Sequence, residues 1–81
     1  MNVQIRLFAA ARDVAGCDRV EVLLPDMATA ADLRTAISKQ YPKLDASIRH
    51  SLLAINNQYA DDATIIPANA DIAWIPPVSG G

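Results

Sequence analysis

The sequence has few of the residues from which side-chain active sites are built. Its 81 residues include one cysteine, Cys17, and one histidine, His50. A single cysteine cannot form an internal disulfide, and these two residues alone supply no ligand set for zinc. We therefore expect no metal site. The sequence leaves open whether the two meet in space as a Cys/His pair, although surface or partly packed positions are the simpler interpretation.

Glycine is also scarce, and charge of one sign never accumulates. None of the three glycines belongs to a glycine-rich turn between a strand and a helix, so no phosphate-binding loop is indicated. The seven lysines and arginines are scattered without a run, which argues against nucleic-acid binding. Asp61 and Asp62 are chain neighbours, which usually point apart, so a solvated turn is favoured over an acid–base pair. These absences make an independent enzyme the least favoured class.

Long apolar runs are missing as well. No stretch approaches the roughly 20 apolar residues that cross a bilayer, and the first residues alternate apolar with polar side chains and include Arg6. The single cysteine agrees with a reducing compartment. We expect a soluble, unexported, cytoplasmic protein with no membrane partner.

What the sequence does contain is a clear periodicity of two. Alternating or continuous apolar positions predict strands over residues 1–8, 19–24, 52–56, 64–66 and 72–75. Pro25 closes the second strand, and Asn57-Gln58 supplies a turn after the third. Pro76 and Pro77 end the last strand because proline has no N–H for the ladder.

One segment has the periodicity of a helix. Thr29 is a good N-cap, Asp32 favours the first turn, and Pro42 forbids continuation, which predicts a helix over residues 30–40. Residues 43–50 are ambiguous between a further helical turn and a packed loop. The apolar stripe of the helix consists of Leu33, Ala36, Ile37 and Tyr41.

The order of these elements indicates an α+β domain. One main helix would lie across a mixed sheet, as in a ubiquitin-like β-grasp fold. The order also permits the last strand to lie beside the first as a central parallel pair. We assign the β-grasp domain to residues 1–75 and a flexible tail to residues 76–81.

The tail is the remaining anomaly, and it reads Pro76-Pro77-Val78-Ser79-Gly80-Gly81. Glycine's usual frequency of about 7% gives a terminal pair by chance in roughly one chain in 200, so the pair calls for an explanation. A frayed end or a remnant of cloning is the plain alternative. The two prolines favour extended backbone, so we expect the tail to project from the sheet by about 20 Å.

The chemistry that suits such a tail is acyl activation. Gly80 and Gly81 lack Cβ, which lets a partner enzyme close a narrow channel around the backbone. A carboxylate is a poor acyl donor because its leaving group is oxide, and adenylation solves this by forming an anhydride with AMP. Sulfide can then displace AMP to leave a thiocarboxylate, a soft nucleophile, and a persulfide can do so if a thiol afterwards cleaves the acyl disulfide that it forms. The tail therefore indicates a sulfur carrier whose working part is Gly81.

Three blocks of sequence carry a resemblance that covers the whole chain. Residues 7–16 read Leu-Phe-Ala-Ala-Ala-Arg-Asp-Val-Ala-Gly, residues 54–56 read Ala-Ile-Asn, and residues 71–81 contain the Pro-Pro and the final Gly-Gly. The first looks like a signature that follows strand one, the second like an apolar-apolar-asparagine strand, and the third is the most specific. In these features the chain resembles the MoaD group of ubiquitin-like sulfur carriers, the small subunits of molybdopterin synthase.

The resemblance implies a set of partners. An E1-like, ATP-dependent adenylyltransferase would activate Gly81, and a sulfur donor enzyme would supply the sulfur of the thiocarboxylate. The large synthase subunit would then bind the tail within a heterotetramer, and the thiocarboxylate would insert sulfur into the cyclic pterin precursor of the molybdenum cofactor. Catalytic side chains in that family belong to the large subunit, and the carrier itself binds no cofactor. The chain is then a co-substrate as much as an enzyme.

The resemblance also implies an interface with the large subunit. It places Phe8 and Arg12 there, with Tyr59 and Ile75 at positions where that interface is apolar. Phe8 could equally belong to the core, and Arg12 could be a solvated charge. Tyr59, beside a turn, is a candidate for an exposed anchor, since aromatic residues are over-represented at binding surfaces. The family commonly has an aromatic residue in place of Ile75, and Trp74 is expected in the core.

Three alternatives stay open. The sulfur carrier of the thiamine pathway shares the fold and the glycine pair, but it tends to be shorter and to lack the double proline. A protein-conjugating modifier would attach Gly81 to lysines. A pure interaction module would bind a partner through its β-grasp face and leave the tail inert.

Overall fold

A central parallel pair of strands organises the sheet. The computed structural model describes residues 1–49 and 51–75. In these residues the strands are β1 (Asn2–Leu7), β2 (Arg19–Leu23), β3 (Leu52–Ile55), β4 (Gln58–Ala60) and β5 (Ile72–Ile75). Their order is β2-β1-β5-β3-β4, and only the β1–β5 pairing among them is parallel. The predicted mixed sheet is confirmed, and it contains the central parallel pair that the element order permits.

The main helix, α2 (Ala30–Gln40), has the predicted bounds. The backbone N–H of Asp32 donates to Oγ1 of Thr29 at 3.3 Å, and the N–H of Thr29 donates to Oδ2 of Asp32 at 2.9 Å. This reciprocal capping box satisfies two donors that a helix start otherwise leaves free. Tyr41 is the C-cap of the helix, and its backbone N–H donates a hydrogen bond to the carbonyl of Ile37.

The core lies between α2 and one face of the sheet. Ala30, Leu33 and Ile37 are the buried positions of α2. They join the inward residues of the strands in one apolar cluster that includes Val3, Ile5, Leu7, Val20, Val22, Leu53, Ile55, Ile72 and Trp74. Trp74 is only 1% exposed, as expected for a core residue. Burial of alternate strand residues explains the period of two in the sequence.

A short helix, α1 (Ala9–Ala15), fills the connection between β1 and β2, where no helix was predicted. It has seven residues, and its N-cap, Phe8, makes no side-chain capping bond, so the usual start signal is absent. Gly16 ends it with φ of 74°, and its N–H donates to the carbonyl of Arg12. Glycine adopts this left-handed conformation without the steric cost that a Cβ imposes.

The ambiguous stretch after Pro42 is helical. A 3₁₀ turn, Pro42–Leu44, leads directly into α3 (Asp45–Arg49). Proline suits the first position of such a turn because its missing N–H needs no partner there. Leu44 is buried in the core, which anchors the segment. His50 lies outside the described residues.

The predicted strand at residues 64–66 is wrong. Only an isolated bridge between Ile65 and Thr29 forms there. Oδ1 of Asp61 accepts from the N–H of Ala63 at 3.1 Å and from the hydroxyl of Thr64 at 3.0 Å, which holds the chain in a turn. The segment meets the start of α2 rather than a strand, so no ladder can extend.

The predicted turn at Asn57-Gln58 lies one residue earlier. Asn56 and Asn57 form it, with φ of 51° and 67°, and Gln58 already begins β4. A type I′ hairpin turn needs positive φ at both central positions, which asparagine tolerates far better than glutamine.

The division into a domain of residues 1–75 and a tail of residues 76–81 remains a prediction, because the tail lies outside the described residues. Within the described residues, no helix has the length and apolar character that a membrane span requires.

Removal of the helix cap provides a test of this local structure. We expect Thr29→Ala to lower the free energy of unfolding by about 1 kcal/mol, because an N–H at the start of α2 loses its acceptor. Thr35→Ala is the matched control, since Thr35 lies exposed on the same helix and alanine favours helix. Urea unfolding followed by Trp74 fluorescence measures both, and equal losses would contradict the capping assignment.

Candidate functional site

The candidate site lies on the outer face of the sheet, opposite α2. Strand registers align Arg6 of β1 with Ala73 of β5, Ala73 with Ala54 of β3, and Ala54 with Tyr59 of β4. The four residues therefore form a row across the sheet. Two small residues stand in its middle and two large ones toward its ends, so the row is concave.

This concavity is a groove of about 290 Å³, which we call the sheet-face groove. Its lining residues are Arg6, Phe8, Ala54, Asn57, Tyr59, Asp71, Ala73 and Ile75. Ala54 and Ala73 form the floor: they are 6% and 7% exposed, but neither belongs to the core cluster. Their short side chains leave space that a larger residue would fill.

The walls of the groove carry exposed apolar surface. Phe8 is 41% exposed and Tyr59 70% exposed, while Ile75 is partly buried. Leu52, which pairs with Ile75 across β3 and β5, is 47% exposed. Such a group of apolar residues around a concave floor is typical of a protein-binding surface.

An ion pair closes one end of the groove. A terminal N–H of Arg6 donates to Oδ2 of Asp71 at 2.9 Å, and the guanidinium carbon lies 6.0 Å from the ring centroid of Phe8. Asp71 is itself held by Asn56, whose Oδ1 accepts from the Asp71 N–H at 2.9 Å. Because both charged side chains are about half exposed, the pair contributes little to folding and remains available to a partner.

The structure brings together three of the four predicted interface residues. Phe8, Tyr59 and Ile75 all line the sheet-face groove. Arg12 lies exposed on α1 and does not line it. The predicted tail residues, Pro76, Pro77, Val78, Ser79, Gly80 and Gly81, lie outside the described part of the chain. The chain reaches the tail directly from Ile75, so the groove and the tail are neighbours in sequence.

Sequence reasoning missed the groove's floor and its ion pair. The sequence does not show that Ala54 and Ala73 are neighbours, because their alignment depends on pairing between distant segments. The alternation of Arg6 with Ile5 and Leu7 does predict that Arg6 lies on the outer face of β1, and the structure agrees. No local signal connects Arg6 to Asp71, which is 65 positions away.

A larger cavity of about 570 Å³ lies beside α2, and two of its charged side chains, Arg34 and Asp62, form an ion pair with each other. Nε of Arg34 donates to Oδ1 of Asp62 at 3.1 Å, and its guanidinium also contacts the carbonyl of Ser51 and the ring of Trp74. Asp61 holds the turn described above, so the two adjacent aspartates have separate structural roles. Across residues 1–49 and 51–75, no three acidic, histidine or cysteine side chains are grouped to hold a metal ion.

Together the five-stranded mixed sheet, the single long helix across it and the open outer face define a ubiquitin-like β-grasp domain. Comparison with known proteins extends this class to a family. The chain belongs to the ThiS family, whose model matches residues 5–81.

Individual relatives agree with this assignment. The molybdopterin synthase sulfur carrier subunit of Dictyostelium discoideum is 40% identical, over 96% of this chain and 94% of its own length. The protein of the same name from Chlamydomonas reinhardtii is 32% identical, and both chains are covered completely. Among solved structures, SAMP1 of Haloferax volcanii, a small archaeal modifier protein, is 28% identical with full coverage of both chains and a TM-score of 0.84.

The Arg6–Asp71 pair should couple only weakly to stability. In a double-mutant cycle of Arg6→Ala, Asp71→Ala and the double variant, we expect a coupling free energy below about 1 kcal/mol, because both side chains are about half solvated. Urea unfolding of the four proteins measures it. A coupling free energy above about 2 kcal/mol would instead show that the ion pair is needed to stabilise the fold.

Proposed function

We propose that this chain is the sulfur carrier subunit of a molybdopterin synthase. The observation that carries the proposal is the 40% identity, over nearly the full length of both chains, with the Dictyostelium subunit of that name. The curated relatives carry the molybdopterin synthase name, which favours this role over the thiamine-pathway alternative.

The proposed chemistry takes place at Gly81. An E1-like enzyme uses ATP to join the Gly81 carboxylate to AMP and releases pyrophosphate. Sulfide from a sulfur donor enzyme then attacks the activated carbonyl carbon and displaces AMP, which leaves a thiocarboxylate. Its sulfur is transferred to the cyclic pterin precursor. The match of the ThiS family through residue 81 supports Gly81 as the working residue.

The other tail residues serve the delivery of Gly81. Pro76 and Pro77 would direct the chain away from β5, since their fixed φ favours extended backbone. Val78 and Ser79 would carry it into the partner's active site. Gly80 has no Cβ, so the walls of that site can approach the backbone next to the reacting carbon.

The sheet-face groove would bind the large subunit. Its apolar walls, Phe8, Tyr59 and Ile75, offer the partly exposed anchors that protein interfaces bury. The strand that forms part of the groove leads into the tail, so docking here would hold Gly81 within a fixed reach. Arg12 would contact the partner from α1, beside the groove.

Several finer features belong to the same proposal. The complex with the large subunit would be a heterotetramer located in the cytoplasm. ATP would be bound by the activating enzyme, and this chain would hold no cofactor of its own. The catalytic side chains would lie on the large subunit, with the thiocarboxylate as their co-substrate.

Intact mass spectrometry tests the carrier chemistry. After incubation with ATP, sulfide and the activating enzyme, we expect the chain to gain the mass difference between one sulfur atom and one oxygen atom. A variant that lacks Gly81 should gain nothing, although its described domain is unchanged. Absence of the gain on the full chain, with the enzyme active on another carrier, would refute the carrier role and favour an interaction module.

Protein conjugation is a second candidate, favoured by the likeness to the small archaeal modifier protein. In that role Gly81 would form an amide bond with lysine side chains of other proteins. We expect an affinity-tagged chain, recovered from cells under denaturing conditions, to run as one species. Larger species that vanish when Gly81 is deleted would establish conjugation as a function of this chain.

A further inference from the structure

Two arginines face each other on the outer side of the sheet. The antiparallel register of β1 and β2 pairs Arg6 with Arg19. Both residues point away from the core, because the alternate positions Ile5 and Val20 are buried. The same register pairs Gln4 with Glu21, and Nε2 of Gln4 donates to Oε1 of Glu21 at 2.8 Å. Side chains across these two strands therefore do meet.

The register of the pair brings the Cα atoms of the two arginines close. The Leu7 N–H donates to the Asp18 carbonyl, and the Leu24 N–H donates to the Met1 carbonyl. Hydrogen-bonded and non-hydrogen-bonded residue pairs alternate along an antiparallel ladder. Leu7–Asp18 and Met1–Leu24 are hydrogen-bonded pairs, so Arg6–Arg19 is a non-hydrogen-bonded pair. In that type the Cα atoms are about 4.5 Å apart and the side chains are nearest.

Only one of the two arginines is neutralised within the described residues. Arg6 has the ion pair with Asp71, and its Nε is buried without a hydrogen-bond partner there. The exposed Arg19 guanidinium has no ion pair among the residues that the structure describes. Like charges directly across a strand pair destabilise a sheet. In the free domain the Arg19 guanidinium therefore lies opposite Arg6 with no carboxylate bound to it among the described residues.

We propose that the protein that docks on the sheet-face groove places a carboxylate side chain against the Arg6–Arg19 pair, and that this contact selects the partner. The inference rests on the proposed function, with the large synthase subunit as that partner. A carboxylate would bind the planar guanidinium of Arg19 with two parallel hydrogen bonds and would offset its repulsion with Arg6.

The surroundings of the pair favour a protein carboxylate over a phosphate. Arg6 belongs both to the pair and to the wall of the groove beside Phe8, so apolar and charged contacts would be made to one surface. The basic residues of the chain form no extended stripe of the kind that follows a nucleic-acid backbone. A charge beside an apolar patch is the usual arrangement of an interface rim, where it determines specificity and association rate.

Reversal of the Arg19 charge tests the proposal. We expect Arg19→Glu to bind the large subunit at least about tenfold more weakly and with a lower association rate. The loss of affinity should be smaller at high salt, because salt screens exposed charges. Arg19→Gln should lie between this variant and the parent chain. Lys43→Glu is the matched control, because it makes the same charge change at an exposed position of the 3₁₀ turn in the helical layer.

Stability gives an independent readout. The new carboxylate of Arg19→Glu would face Arg6, so the thermal midpoint of the free domain should stay equal or rise while binding falls. A lower midpoint would overturn the argument, because Arg19 would then serve the fold. Unchanged or higher stability together with weaker binding is the result expected of a residue whose role is to bind the partner.

Tyr59→Ala separates this inference from the proposed function. If Tyr59→Ala weakens binding but Arg19→Glu binds like Lys43→Glu, the groove is the docking surface and the carboxylate contact is wrong. If neither Tyr59→Ala nor Arg19→Glu weakens binding, the docking surface itself is wrong. Binding restored to Arg19→Glu by an acid-to-lysine change on the large subunit would support the proposal and identify the carboxylate.

Discussion

The parallel pairing of β1 with β5 is the contact on which the rest of the structure depends. It joins the two ends of the described chain, Ile5 beside Ile72 and Leu7 beside Trp74, in the middle of the sheet. The inward side chains of the pair form the centre of the core under α2. The outward side chains, Arg6 and Ala73, form part of the groove. One strand pair thus supports the core on one face and the candidate docking surface on the other.

The sequence predicted best where the physical signal is local. The capping residues Thr29 and Asp32 are three positions apart, and the apolar stripe of α2 repeats within eleven residues, so the helix bounds could be read directly. The first and second strands alternate apolar with polar residues because one face of each is buried. Helix α1 lacked a capping side chain, and residues 64–66 looked like a strand only because the pattern cannot show whether a partner strand exists.

The sequence predicted only part of the site, again because some of its contacts join distant segments of the chain. Phe8, Tyr59 and Ile75 came from family resemblance, and the fold brings them together around one groove. The alanine floor could not be foreseen, since Ala54 and Ala73 become neighbours only through the antiparallel pairing of β3 with β5. The Arg6–Arg19 pair likewise requires the register of β1 against β2, and a shift of one residue would have separated the two charges. Contacts between distant segments therefore set the limit of what the sequence alone conveys.

The central position of β5 also has a mechanical consequence. This strand is bonded on both sides, to β1 and to β3, and its C-terminal end leads to the tail. A pull applied from that end would act along the strand and load the hydrogen bonds of both ladders together, in shear, rather than open them one after another. A partner enzyme could therefore draw the end of the chain into a tight channel and release it again while the domain stays folded.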